Sequence, residues 1–186
     1  MGVLAVLLVG LTVWLASERG LDLSPSAQIG GPFRLVDQTG RTVTEADLKG
    51  HPTALFFGYT HCPDACPTTL SELTELVRKL GPAADRLGVY FVTVDPERDT
   101  PEVLADYAKA FDPRFRMLTG TPEQVAQMLR GYRVYAQKVK DDSGNMLFNH
   151  TASVYLLDAQ GRFVGTLAYQ EPEDTALAKL RRLLAA

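Results

Sequence analysis

Short runs of β-branched and aromatic residues alternate along this chain with longer stretches in which apolar residues recur every three or four positions. Phe33 to Val36, followed by Asp37-Gln38-Thr39-Gly40, reads as a strand entering a turn. Thr53 to Phe57 (TALFF) and Val89 to Val94 (VYFVTV) are continuous apolar runs, short enough for buried strands. Ser153 to Leu157 and Phe163 to Leu167 flank Asp158-Ala159-Gln160-Gly161, a hairpin signal. Between Thr68 and Leu80 the residues Leu70, Leu73, Leu76, Val77 and Leu80 form one helical stripe that stops at Gly81-Pro82. A second helix opens at Pro101 after Asp99-Thr100, because proline suits the first turn after a capping residue. Val103, Leu104, Tyr107, Ala108 and Phe111 are expected on its buried face. Thr121-Pro122 repeats the signal ahead of Val125, Met128, Leu129 and Tyr132, and Glu173 to Leu184 closes the chain with Ala176, Leu177, Leu180, Leu183 and Leu184 facing in. This order predicts an α/β sandwich with a central sheet flanked by helices.

The first sixteen residues are a separate physical object. From Met1 to Ala16 no side chain is charged and nearly all are apolar. As a helix they reach ~24 Å at 1.5 Å per residue, short of a hydrocarbon core of roughly 30 Å; local thinning or an interfacial Trp14 would help. A cleaved signal peptide lacks its basic flank and its small-residue cleavage site here, and a buried core helix would show a polar face. An uncleaved N-terminal anchor over 1–16, with 17–29 as a tether and 30–186 as the folded domain, is the expected organisation. The domain then faces the periplasm or an equivalent non-cytosolic, oxidising space.

Composition narrows the function classes. Hydrophobic residues make up 46% and charged residues 22% of the 186, as in an ordinary globular protein. A net charge of −3 offers no general attraction to phosphate backbones, so no nucleic-acid partner is expected.

The chain has two cysteines, four positions apart in FGYTHCPDACPTTL (Phe57 to Leu70). Cys62 and Cys66 fall where a buried strand gives way to an amphipathic helix. A helix amino terminus carries partial positive charge and free N–H groups, which favour thiolate over thiol. Pro63 and Pro67 stiffen the connection. A disulfide across so short a loop stabilises by only ~2 kcal/mol in the chain-entropy account, against ~4.7 for a loop of about 100 residues. Redox or metal chemistry is therefore the expectation for this pair.

Of the three histidines, His51 follows Lys49-Gly50 and reads as a solvated turn residue. His61 abuts Cys62, too close in sequence to share its metal well. His150, in NHTASVYLLD, precedes a buried strand that could run beside the one feeding the cysteines. A lone histidine is more often structural than a ligand, and position alone does not decide. Two thiolates and an imidazole are a soft set of three, suited to copper, whereas structural zinc normally takes four Cys or His ligands. Asp64 is either a further oxygen donor to Cu(II) or a turn residue.

FGYTHCPDACPTTL, VDPERDTPE (Val94 to Glu102) and NHTASVYLLD (Asn149 to Asp158) together resemble the signature blocks of the Sco/SenC family, over about Gly30 to Leu184. The resemblance implies a thioredoxin-like fold, with which the order of elements agrees. It implies that Cys62, Cys66 and His150 bind one copper ion, Cu(I) or Cu(II). The implied role is that of a copper chaperone helping to assemble the CuA centre of cytochrome c oxidase. The implied partners are the oxidase subunit carrying that centre, other periplasmic copper or thiol-redox proteins, and the membrane through the N-terminal segment. The alternative is a thiol–disulfide oxidoreductase, with Cys62 and Cys66 as its redox pair, that keeps the oxidase copper-site cysteines reduced. One departure is Asn149, where the family often has Asp before the distal His. Asn149-His150-Thr151 is formally a glycosylation sequon, but a glycan there would crowd the site. Asp141 to Asn145 resembles part of a calcium loop without its length or terminal Glu, and reads as a turn. Asp95, Arg98 and Asp99 are expected to shape the loop between a strand and a helix, with Asp99 or Thr100 as its cap.

Overall fold

The computed structural model describes residues 29–186. The anchor expected over 1–16 and all but the last residue of the tether lie outside them. No helix among the described residues is long and apolar enough to cross a membrane.

Seven strands form one mixed sheet in the order β2-β1-β5-β4-β3-β8-β9. They are β1 (Arg34–Asp37), β2 (Thr42–Thr44), β3 (Thr53–Gly58), β4 (Gly88–Thr93), β5 (Arg116–Thr119), β8 (Val154–Leu157) and β9 (Phe163–Leu167). A two-stranded ribbon, β6 (Ala136–Lys140) and β7 (Met146–His150), lies outside it. The helices are α1 (Ala65–Leu80), α2 (Pro101–Ala108), α3 (Pro122–Gly131) and α4 (Glu173–Ala185).

The central strands follow from their sequence. Every residue of β3 is buried, as expected of a continuous apolar run covered on both faces. It pairs in parallel with β4, with Gly58 opposite Thr93, so the two loops leaving these strands emerge side by side. On its other edge β3 pairs antiparallel with β8, Leu55 opposite Tyr155. The start of β8 therefore stands at the end of β3. These two pairings put the cysteine loop, the VDPERDTPE loop and the residues before Val154 at one end of the sheet.

The helical stripes pack as the spacing predicts, with two differences. All five apolar residues predicted on α1 are buried, and so are all five on α4, which packs against it. The helix α1 begins at Ala65, ahead of the expected Thr68, and places Cys66 and Pro67 in its first turn. Proline is tolerated there because first-turn N–H groups have no intrahelical partner. On α2 only Leu104 is fully buried and Val103 stands 37% exposed. The helix ends at Ala108, so its contact stripe on β5 is narrower than the run of apolar residues suggests.

Candidate metal centre

Gly58 ends β3 directly beneath the cysteine loop. A Cβ on it would stand 2.8 Å from Cys66 Sγ and 2.8 Å from a Phe91 ring carbon, so the absence of a side chain is what lets the helix-borne sulfur nest against the sheet. Cys66 is fully buried and Cys62 half-buried. The Cys66 backbone N–H donates to Cys62 Sγ at 3.4 Å, folding the loop so that both sulfurs face the same space.

His150 reaches that space from the far side of the chain. It is the last residue of β7, opposite Ala136 in the ribbon. Its Nε2 lies 3.4 Å from Cys66 Sγ. Its Nδ1 stands 3.0 Å from the Thr151 backbone oxygen, which can only accept, so that contact puts the proton on Nδ1 and leaves the Nε2 lone pair turned to the sulfurs. This backbone carbonyl supplies the orientation for which a carboxylate at position 149 would be one alternative; Asn149 is exposed on the ribbon. Phe56 and Tyr59 rings stand edge-on to the imidazole at 6.2 and 5.8 Å. The Tyr59 hydroxyl accepts from the Phe148 backbone N–H at 3.2 Å and ties the ribbon to the end of β3.

The ligand atoms of Cys62, Cys66 and His150 all lie within 4.8 Å of one another, and among the described residues they form the group with metal-holding geometry. Asp64 is not a member. It is exposed, precedes the first residue of α1, and its carboxylate accepts from Thr68 Oγ1 at 3.4 Å, the behaviour of a turn residue. His61 is also outside the group: its Nδ1 stands 3.0 Å from Thr60 Oγ1. His51 is half-buried rather than solvated, stacked on Tyr90 at 6.5 Å.

The two thiols are unequal. The hydrogen bond from the Cys66 side chain pulls Cys62 down, to about 3; burial opposes this, while the backbone N–H groups of Asp64 and Cys66 assist. The same bond, with desolvation, pushes Cys66 far up. The pair therefore holds one proton between them, with Cys62 as the thiolate and Cys66 as the thiol. A soft anion and an imidazole lone pair face one another without a fourth Cys or His, a donor set that fits a soft ion of low coordination number.

The VDPERDTPE loop has a larger part in this site than its sequence suggests. Thr100, not Asp99, caps α2, accepting from the Val103 N–H. Asp99 is fully buried and its carboxylate accepts from the Thr60 N–H (3.1 Å), Thr60 Oγ1 (2.6 Å) and Thr93 Oγ1 (2.6 Å). Asp95 pairs with Arg98, whose guanidinium also donates to the Met146 carbonyl at 3.1 Å. One loop thus fastens both the cysteine loop and the ribbon that carries His150.

Comparison with known proteins agrees with this architecture. A structure described as Bradyrhizobium japonicum ScoI with copper bound superposes with a TM-score of 0.78 at 48% identity, covering 83% of this chain and 99% of that one. An SCO2-like protein of Rickettsia prowazekii is 40% identical over 139 residues, 74% of this chain and 68% of the relative. A mitochondrial SCO2 homolog of Bos taurus is 38% identical, spanning 93% of this chain and 70% of the relative. The SCO1/SenC family model matches residues 22–185, and with that extent of agreement the chain belongs to the SCO1/SenC family.

Proposed function

We propose that this protein is a copper chaperone: Cys62, Cys66 and His150 hold one copper ion as cargo, and the domain passes it to the cytochrome c oxidase subunit that carries the CuA centre. The observation that carries the reading is the meeting of two sulfurs and an imidazole nitrogen, all within 4.8 Å, from residues separated by more than eighty positions in the chain. The copper named in the Bradyrhizobium relative's description supports the choice of metal. Copper supplies a soft Lewis acid, while the protein supplies one thiolate already ionised, a second thiol that gives up its proton on binding, and an oriented imidazole. Residues 1–16 act as a membrane anchor, 17–29 as a tether and 30–186 as a thioredoxin-like copper domain outside the cytosol. Tethering keeps donor and acceptor on one surface and raises their effective concentration.

The test is an anaerobic Cu(I) titration of the reduced full chain against a competing chelator, with His150→Ala alongside. Tight one-to-one binding that weakens about 100-fold in the variant, about 2.7 kcal/mol, is the expected result. Weak binding that is alike in both proteins removes the copper reading.

A second reading rests on the inequality of the thiols. Cys62 is the ionised, more accessible sulfur and Cys66 the protonated, buried one. In a thiol–disulfide exchange, Cys62 attacks one sulfur of an oxidised partner and its other sulfur leaves as thiolate. Cys66, deprotonated, then displaces the mixed disulfide, leaving a Cys62–Cys66 disulfide and a reduced dithiol on the partner. Such activity would largely survive loss of His150, which separates it from copper delivery.

A further inference from the structure

Tyr59 is a buried titratable group that copper delivery, as described so far, does not use beyond holding the ribbon. It follows Gly58 at the end of β3, is 2% exposed, and lies three positions before Cys62. The Cys62 N–H donates to the Tyr59 backbone oxygen at 3.3 Å, a turn that brings the cysteine loop back over the end of the strand. On its other side the ring meets β7. Phe148 and His150 stand two apart on that strand and so share a face. Their ring centroids lie 5.3 and 5.8 Å from that of Tyr59. Tyr59 therefore touches the cysteine loop through its backbone and the histidine ribbon through its ring.

A phenolic hydroxyl has one proton to give and lone pairs with which to accept. Its accepting side is engaged, by the Phe148 N–H at 3.2 Å. Its proton goes to no oxygen or nitrogen among the described residues; the side-chain partner it meets is the sulfur of Cys62. Burial pushes the phenol up against the pull of the Phe148 N–H, and the charges of Cys62 and then Cys66 push it the same way. Tyr59 thus keeps its proton, while Cys62 is the thiolate of the pair and has none to give. The bond between them can only run from oxygen to sulfur. A donor to an anion makes a stronger bond than a donor to a neutral group. Linked hydrogen bonds also polarise one another, so an oxygen that gives its proton to a thiolate accepts better from Phe148.

We propose that Tyr59 is a positioning residue of the copper site: its hydroxyl donates to the Cys62 sulfur and accepts from the Phe148 N–H, so that a negative sulfur draws the ribbon and His150 into place. The assignment rests on the copper-delivery reading and adds to it how one ligand sets another across the site. A sulfur bound to copper in place of a proton remains an acceptor, so the link persists with the ion in place. A Cys62–Cys66 disulfide carries no negative charge, and there the hydroxyl holds the ribbon through its oxygen alone. The same bond stabilises the reduced pair relative to the disulfide, which makes it measurable without copper.

Tyr59→Phe keeps the ring and removes the hydroxyl. Arg98→Lys is the comparison: it keeps a charge for Asp95, gives up the second arm that reaches the Met146 carbonyl, and so loosens the ribbon without touching Tyr59. The copper-free full chain is equilibrated with reduced and oxidised dithiothreitol, and the Cys62–Cys66 disulfide is counted by mass spectrometry after alkylation. Expected is an equilibrium shifted about tenfold towards disulfide in Tyr59→Phe, a potential about 30 mV more negative, with no shift in Arg98→Lys. Exchange of the Phe148 amide in the reduced protein should quicken in both variants. Cu(I) affinity should fall about tenfold in Tyr59→Phe, as loss of an outer contact commonly causes. A potential that Tyr59→Phe leaves unchanged, or that both variants move alike, overturns the bond to sulfur whether or not the chain binds copper. Unchanged Phe148 exchange or Cu(I) affinity in Tyr59→Phe overturns the link to the ribbon. A wild-type chain that does not bind Cu(I) overturns copper delivery instead, and the dithiothreitol equilibrium still decides whether Tyr59 donates to Cys62.

Discussion

Replacing Asp99 with alanine removes one carboxylate and, with it, three hydrogen bonds that join the cysteine loop to β4. Bonds to a charged acceptor contribute roughly 1.5–3 kcal/mol each, so their sum overstates the loss, because a fully buried carboxylate also carries a desolvation cost of several kcal/mol that the variant escapes. What remains is the penalty on the donors left behind. Thr93 is fully buried and its hydroxyl loses its acceptor, and the Thr60 N–H loses its own. Thr60 Oγ1 is less affected, since it stands 3.0 Å from His61 Nδ1. Two stranded donors at about 1–3 kcal/mol each give an expected destabilisation of about 2–6 kcal/mol. Asp99→Asn retains one acceptor oxygen and should cost less, about 1–2 kcal/mol. Urea denaturation at constant m-value measures both. Thr60 lies two residues before Cys62, so the folded Asp99→Ala protein should also bind Cu(I) about tenfold more weakly, as loosening of an outer contact commonly does. A loss of stability under about 1 kcal/mol, or unchanged copper affinity in the folded variant, would refute the account of Asp99 as the tie that positions this loop.

Three further outcomes follow from the centre itself. Cys62 should react with iodoacetamide at a rate nearly flat from about pH 5 to 8, read by mass spectrometry, whereas an ordinary thiol near pKa 8.5 would gain about tenfold per unit. Because its pKa is depressed in the folded chain, its contribution to stability is full above the unfolded thiol's pKa and is lost as pH falls towards 3, while the raised Cys66 subtracts stability above about pH 8.5; urea midpoints should rise with pH from acid and peak near about pH 8.5. Gly58→Ala should cost about 1–3 kcal/mol and weaken Cu(I) binding, since the new Cβ meets Cys66 Sγ and the Phe91 ring at 2.8 Å; an unchanged melting temperature and affinity would contradict that packing.

The parts of the fold legible in the sequence are those whose burial is simple. The strands β3 and β4 are apolar throughout because both faces are covered, and α1 and α4 show clean stripes because each has one buried face. The strands β2 and β5 are three and four residues long, too short to show a period, and the sequence pattern did not mark them. Nor did it mark the ribbon, whose residues are half-buried or exposed and lack the alternation of a strand with one covered face. The cysteines were legible together because one short loop carries both. The approach of His150 was not, since it depends on β8 lying antiparallel to β3, a pairing between segments about a hundred residues apart. Only the resemblance to a family selected that histidine. The sequence leaves the cap of α2 open between Asp99 and Thr100; that Thr100 takes it while Asp99 turns inward depends on the neighbouring loop, which no local pattern encodes.

The same division bears on how a bound ion would leave. Cys66 is fixed in the first turn of a helix whose apolar stripe is wholly buried, and Cys62 is folded onto it by the Cys66 N–H. His150 rides on a two-stranded ribbon that pairs with no strand of the main sheet, and an isolated two-stranded hairpin is marginally stable in water. What holds the ribbon in place are Phe148 and Ala136 packed against the core, the Phe148 ring 5.3 Å from that of Tyr59, and separate polar contacts: Phe148 N–H to Tyr59, Arg98 to the Met146 carbonyl, and the ion pair of Lys138 with Glu97. The last of these is solvent-exposed and contributes little, about 0–1 kcal/mol. Moving the imidazole away therefore requires breaking a few hydrogen bonds and lifting Phe148 from Tyr59, whereas moving the Cys66 sulfur requires disturbing a helix packed in the core. For the copper site proposed above, the imidazole would then be easier to withdraw than Cys66, and an acceptor offering a donor on the ribbon side would meet the ion with Cys66 still in place.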